Sequence, residues 1–327
     1  MSMRMLSQLA RIEFLTPCLN ESADFFVNVL GLYEVERDDK SVYLRCWGDS
    51  FHHSIQLTAG EKPALGCIGW RADGEDGLTE TVARLNAAGT GEGWVDKLVG
   101  RGPAFRYRGP GGHLQEVFWE VERHTASSSS QSTFPSRPQK RGVQGCALRQ
   151  LDHVTVALPG DPLQAAHWYR ETLGYRFTEY TVLDDSDDCF FAMVSTNEHA
   201  HDLGLLRDTS GMSGRLHHIA FWLDEPAQLY QAAEFVIEAG HKVEFGPGRH
   251  GMGEEVYLYV RDPGGMRIEF MSGGRRNYEP DWPTVKWKPS QGSIDFYRNT
   301  TPPASLIDSF PPVEGGVVNP WSARSVR

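Results

Sequence analysis

Leu151-Asp152-His153-Val154-Thr155-Val156, Leu216-His217-His218-Ile219-Ala220-Phe221 and Arg267-Ile268-Glu269-Phe270 decide how this chain is read. Side chains of a β-strand alternate between two faces, so His153 and Thr155 share a face opposite Val154 and Val156. The same period sets His218 and Ala220 against Ile219 and Phe221, and Arg267 and Glu269 against Ile268 and Phe270. By that rule His217 points away from His218, as a core residue or a hydrogen-bonding neighbour of the site. On one curved sheet, the three strands would present two imidazoles and one carboxylate from the inner face. That is the ligand set of a non-haem Fe(II) centre with open positions, suited to O2 activation. A lone histidine on a strand is more often hydrogen-bonded or exposed; three ligand types at equivalent strand positions favour a metal.

Outward from these strands the chain repeats itself. Gln8-Leu9-Ala10-Arg11 parallels Gln150-Leu151-Asp152-His153, Phe25 to Gly31 parallels Trp168 to Gly174, and Arg108-Gly109-Pro110-Gly111-Gly112 precedes Glu116 as Arg261-Asp262-Pro263-Gly264-Gly265 precedes Glu269. In that register Arg11 stands where His153 does and Cys67 where His218 does, and only Glu116 keeps its type. The first half therefore cannot bind a metal in the same way. Between the halves, the polar stretch from Arg123 to Gly142 reads as a linker. The expected division is 1–122, a linker over 123–142, a catalytic unit over 143–271 and an extension over 272–327 that carries Trp282, Trp287, Trp321 and many prolines.

Each half reads as strand, helix and three strands, twice over, an α+β fold. In the second half, strand 151–158 leads to a helix with Asp161 as N-cap, Pro162 at its first position and Gly174 past its end. Strand 216–222 leads to a helix between Pro226 and Gly240 with Leu229, Ala233, Val236 and Ile237 on one face. Asn20 to Gly31 and Leu78 to Gly89 supply the helices of the first half. Gly246, Gly248 and Gly251 form a turn rather than a phosphate loop, since no Lys-Ser/Thr follows.

Composition bounds the function. With 327 residues the chain exceeds one usual core. A net charge of −11 repels phosphate backbones and argues against nucleic acid as a partner. No apolar run approaches the roughly 20 residues that span a bilayer, so no membrane partner is expected. Five scattered cysteines without a Cys-x-x-Cys pair suit a reducing compartment, and the N-terminus lacks a secretory pattern, so the expected location is cytoplasmic.

Leu-Asp-His at 151–153, Leu-His-His-Ile-Ala-Phe at 216–221, Gly-Pro-Gly-Arg-His-Gly at 246–251, Tyr-Leu-Tyr at 257–259 and Asp-Pro-Gly-Gly-Met-Arg-Ile-Glu at 262–269 resemble the extradiol ring-cleaving dioxygenases of the vicinal oxygen chelate superfamily, catechol 2,3-dioxygenase group. The duplicated organisation extends the resemblance across both halves, and Tyr278 to Tyr297 looks like that group's C-terminal extension. The resemblance implies two domains of two βαβββ modules each, with the metal in the second. It implies His153, His218 and Glu269 as ligands of Fe(II), with Mn(II) suiting nearly the same set, and O2 as co-substrate. It makes His201 the acid–base residue, with His199 as competitor and His53 at a similar place in the first half. An imidazole suits that work because it titrates near neutral pH. His250 would contact substrate or oxygen, and Tyr259 would hydrogen-bond a catecholate oxygen.

Two departures bear on substrate. Relatives acting on carboxylated catechols place an arginine where this chain has Phe245, so hydrogen, alkyl or chlorine substituents are expected. Some relatives have an asparagine where this chain has Thr155. The implied product is a 2-hydroxymuconate semialdehyde, and the implied assembly is a homo-oligomer, a homotetramer. Rival readings are a glyoxalase-like metal-dependent lyase or isomerase and a non-catalytic module that binds aromatic ligands. The first needs a fourth protein ligand, which Leu203-Gly204-Leu205-Leu206 does not offer; the second gives no reason for confining the triad to one half.

Overall fold

Alternating burial along the strands builds two sheets in the computed structural model, which describes residues 4–142, 144–297 and 302–313. Four βαβββ modules follow one another. They are β1 (Leu6–Thr16), α1 (Leu19–Asp24), β2 (Tyr33–Arg37), β3 (Ser41–Arg45) and β4 (Ile55–Ala59); then β5 (Ala64–Ala72), α2 (Glu75–Ala87), β6 (Gly91–Val95), β7 (Ala104–Arg108) and β8 (Leu114–Phe118). The second half gives β9 (Gln150–Leu158), α3 (Pro162–Leu173), β10 (Arg176–Val182), β11 (Cys189–Ser195) and β12 (Leu203–Arg207); then β13 (Arg215–Trp222), α4 (Ala227–Glu238), β14 (Val243–Arg249), β15 (Glu255–Arg261) and β16 (Arg267–Gly273). The first two modules form an eight-stranded sheet ordered β2-β3-β4-β1-β5-β8-β7-β6. The last two form a nine-stranded sheet, β14-β15-β16-β13-β9-β12-β11-β10-β17, whose added β17 (Val285–Trp287) comes from the extension and runs parallel to β10.

The strand register shows the duplication residue by residue. In the second sheet Ile219 lies opposite Val154 and His218 opposite Thr155; in the first, Ile68 lies opposite Ile12 and Cys67 opposite Glu13. The parallel pairs set Ala220 beside Glu269 and Gly69 beside Glu116. Arg11, Cys67 and Glu116 thus occupy the positions of His153, His218 and Glu269. Within the second half the other equivalent of Glu269 lies on β12 beside Thr155 and is Gly204. Its missing side chain makes room, since a Cβ there would come within 2.3 Å of the Thr155 hydroxyl oxygen.

The helices cover the convex faces, and one apolar core runs through both halves. Phe26 meets Phe221 edge-on at 6.3 Å, Trp70 meets Tyr175 at 5.4 Å, and Gln115 donates to the Tyr169 hydroxyl at 2.6 Å. The cap of α3 is as expected: Asp161 accepts from the Leu163 N–H at 3.0 Å, Pro162 follows, and Gly174 closes the helix at φ +71.

Three local readings are corrected. The helix expected over Asn20 to Gly31 is shorter: α1 passes into a π-helical turn at Phe25–Val29, and this wider turn lets Phe25, Phe26 and Val29 all be buried. On α4 the buried residues are Leu229, Ala232, Ala233 and Val236, while Ile237 is 58% exposed because it lies eight residues beyond Leu229, past the edge of the stripe. Gly246 and Gly248 lie not in a turn but in β14, where one extra residue between Phe245 and Gly248 accommodates them, while Gly251 lies in the bend that follows. The stretch 123–142 has no helix or strand and lies against the first half, where Gln139 meets Arg45 and Arg137 covers Trp47. Trp321 falls outside the described residues.

Candidate active site

Strands β9, β13 and β16 bring His153, His218 and Glu269 together on the concave face of the second sheet, 1%, 4% and 1% exposed. His153 Nε2 is 3.2 Å from His218 Nε2 and 3.1 Å from Glu269 Oε2, and His218 Nε2 is 3.0 Å from the same oxygen. A triangle with that edge is one face of an octahedron with bonds of roughly 2.1 Å to a central ion.

Neighbours decide which nitrogens point inward with a lone pair. A carboxylate only accepts, so His153 Nδ1 donates to Asp152 Oδ1 at 2.9 Å, which makes Nε2 the nitrogen that turns a lone pair toward an ion once the proton it shares with Glu269 is displaced. For His218 the determination passes through His217. The Leu306 carbonyl also only accepts, so His217 donates from Nε2 and accepts at Nδ1 from His218 Nδ1, 2.6 Å away. The expected opposite orientation of His217 fails because a register shift between Leu216 and His218 interrupts the alternation and turns both rings into the same cavity.

Three lone-pair atoms so close together require a cation or a proton between them. Burial disfavours charge on His153, but Asp152 and Glu269 outweigh it and raise that imidazole to about 10. Burial pushes His218 down to about 4. For Glu269, burial opposes ionisation, and the facing His153, His218 and His250 outweigh it, holding the carboxyl well below its ordinary range. Its Oε1 is buried, with no hydrogen-bond partner among the described residues and His250 Nε2 3.5 Å away. The donor set, the spacing and this orphaned oxygen all fit a divalent cation.

Around the triad lies a partly open cavity with mostly apolar walls, the usual setting of a small-molecule site. His201, His250, Tyr259 and Thr155 all line it, between apolar walls from Phe190, Phe191, Met193, Met252, Leu206 and Leu306. The His201 ring lies tilted 4.1 Å from that of His153. His199 is outside the lining, its Nδ1 3.9 Å from Asp152 Oδ2. His250 donates from Nδ1 to the Ile294 carbonyl, and its Nε2 lies 3.1 Å from the Tyr259 hydroxyl and 3.5 Å from Glu269 Oε1. Burial, followed by the charge of Glu269, raises Tyr259 well above its ordinary range and keeps it a donor. Thr155 Oγ1 is buried with no hydrogen-bond partner among the described residues.

Phe245 is placed elsewhere than expected. It is absent from the cavity wall and stacks behind it on Tyr257, at 5.1 Å, because β14 pairs with β15 one strand removed from the triad. Residues missed in the sequence include Asp152, visible only as the neighbour of a ligand, and Glu255, which strand alternation places on the face of Tyr257 and Tyr259. The wall from Ser293, Ile294, Leu306 and Ile307 had no periodic signal at all.

At the matching place in the first half, Glu116 Oε1 accepts from Arg11 at 2.8 Å and lies 2.7 Å from Arg101 Nη2. His53 is buried beside them, and burial followed by Arg11 and Arg101 pushes its imidazole well down. Guanidinium groups stand there in place of a metal.

Residues 150–270 match the family model for the Glyoxalase/Bleomycin resistance protein/Dioxygenase superfamily. A metapyrocatechase of Geobacillus stearothermophilus is 32% identical over 303 residues, covering 92% of each chain. A manganese-dependent 2,3-dihydroxybiphenyl 1,2-dioxygenase of Geobacillus genomosp. 3 is 34% identical, covering 93% of this chain and 97% of its own. Among solved structures, an extradiol ring-cleaving dioxygenase from B. fuscum superposes with a TM-score of 0.80 at 27% identity, over 92% of this chain and 81% of that one. Similarity across both halves, joined to four βαβββ modules and a buried His, His, Glu cluster in one of them, makes this chain a member of the extradiol ring-cleaving dioxygenases of the vicinal oxygen chelate superfamily.

Proposed function

We propose that the protein cleaves catechol, or an alkyl- or chloro-substituted catechol, beside its hydroxyls with O2 at one Fe(II) held by His153, His218 and Glu269, giving a 2-hydroxymuconate semialdehyde. The observation that carries this reading is the convergence of two Nε2 atoms and a carboxylate oxygen at 3.0–3.2 Å inside an apolar cavity. A bound Fe(II) would supply a common seat for both substrates and a path for electrons between them; Mn(II) suits nearly the same donors.

The protein's own groups do the rest. His201 takes a proton from a catechol hydroxyl and later returns it. The Tyr259 hydroxyl, ordered by His250, holds a catechol oxygen, and the apolar walls keep water from the ring. Gly204 at the fourth symmetric position leaves no further carboxylate, which counts against a glyoxalase-like lyase or isomerase. The same reading expects a homotetramer, which sedimentation would measure.

Anaerobically Fe(II)-loaded protein is expected to turn catechol yellow with one O2 consumed per ring, and absence of oxygen uptake with every catechol would overturn the proposal. His201→Phe should keep the metal and lose on the order of a hundredfold in kcat; an unchanged rate would remove its acid–base role. With Phe245 behind the wall, discrimination falls to the apolar cavity and to Glu255, so a carboxymethyl catechol should be at least about tenfold poorer in kcat/KM, each tenfold being ~1.4 kcal/mol of transition-state stabilisation.

Metal binding carries a pH signature. Between about 4, where His218 sheds its proton, and about 10, where His153 does, the triad holds one proton that an incoming ion displaces. Affinity for Mn(II) should rise about tenfold per pH unit from pH 6 to 8, read by calorimetry. A flat profile would show that the metal-free triad carries no proton.

A further inference from the structure

Glu255 is a carboxylate in the cavity wall to which the proposed reaction gives no proton-transfer or binding step beyond turning away charged substituents. The alternation of β15 aims it inward with Tyr257 and Tyr259, 3% exposed. Its Oε1 is 3.5 Å from Nδ1 of His201, within ion-pair range but long for a hydrogen bond. That nitrogen is buried and has no hydrogen-bond partner among the described residues. The nearby Arg275 is committed to Glu179 at 2.7 Å.

The backbone makes a slot for this side chain. Gly253 and Gly274 have φ of +61 and +90; a Cβ on the first would come within 3.2 Å of the Glu255 carboxylate, and on the second within 3.1 Å of its Cγ. The Glu255 carbonyl also accepts from the His250 N–H at 2.9 Å, so the same residue anchors the segment that carries His250.

We infer that Glu255 is the positioning residue of His201: its carboxylate accepts the Nδ1 proton, holds the ring over His153 and leaves Nε2 bare toward the cavity. The two ring nitrogens lie on different edges, so a proton kept at Nδ1 selects the tautomer able to receive one at Nε2. Contacts of this kind are often long in a ligand-free site and tighten when substrate binds. The inference rests on the reading of His201 as the acid–base residue.

The test is a double-mutant cycle on Fe(II)-loaded protein, with metal content and anaerobic catechol affinity measured on every variant. Glu255→Ala is expected to lose about 10- to 100-fold in kcat with KM, metal content and catechol affinity held within about threefold. Glu255→Gln, which keeps an acceptor oxygen, should recover most of that loss. In the His201→Phe background, Glu255→Ala should cost nothing more. An equal loss in both backgrounds, an unchanged kcat for Glu255→Ala, or loss of metal with the Glu255 side chain would each overturn the inference. Should His201→Phe alone leave the rate unchanged, the acid–base reading fails instead, and a Glu255→Ala loss that persists there identifies a separate role for the wall.

Discussion

His218→Ala is expected to give a folded protein that retains no stoichiometric metal and cleaves catechol on the order of a hundredfold more slowly or worse. The side chain supplies one corner of the triangle with Glu269 and His153, at 3.0 and 3.2 Å. His217 cannot swing in, because its Nε2 is held by the Leu306 carbonyl. Two donors remain where three were, and the orphaned Glu269 oxygen stays unsatisfied. Any stabilisation that wild-type protein gains from added Fe(II) or Mn(II) should vanish in the variant, since a ligand raises stability only by binding the folded form. Metal analysis beside melting curves with and without Mn(II) decides it: retention of both metal and turnover would show that the ligands are other residues.

Glu116→Ala is expected to cost about 3–5 kcal/mol of stability while leaving the metal content unchanged. Glu116 is fully buried, and its removal strands the guanidinium groups of Arg11 and Arg101, each nearly buried, with no carboxylate between them. Burial opposes ionisation of Glu116, and those two arginines outweigh it, so its folded value lies below the ordinary 4.5. A group depressed in this way contributes stability above its unfolded value and loses it as the pH falls through the folded one. The gap between wild type and variant should therefore be full at neutral pH and shrink below about 4.5. Urea titrations at pH 7 and at acid pH measure it, and a loss under 1 kcal/mol at pH 7 would mean that water replaces the carboxylate.

Legibility followed the reach of each signal along the chain. Strand alternation and the internal repeat are local patterns written many times over, and they were enough for the four modules, for the placing of His153, His218 and Glu269 on one face, and for the equivalence of Arg11, Cys67 and Glu116. Where one residue breaks the period, the reading fails: the shift beside His217 reversed its predicted side, and the irregularity after Phe245 hid that this ring stands behind Tyr257. Glu255 was accessible to the same alternation, but a carboxylate on a strand among aromatics draws no attention until a histidine lies across the cavity from it. The main-chain carbonyls of Ile294, Ser305 and Leu306 meet His250, Arg261, Arg267 and His217, and a carbonyl is present at every residue, so no residue type announces those contacts.

The Leu306 carbonyl lies beyond the 150–270 region that defines the family match, yet it determines which nitrogen of His218 faces inward. The proposed metal centre is therefore not portable as a cassette. A graft of residues 150–270 onto another scaffold would carry all three ligating side chains and leave one of them free to turn its protonated edge toward the ion.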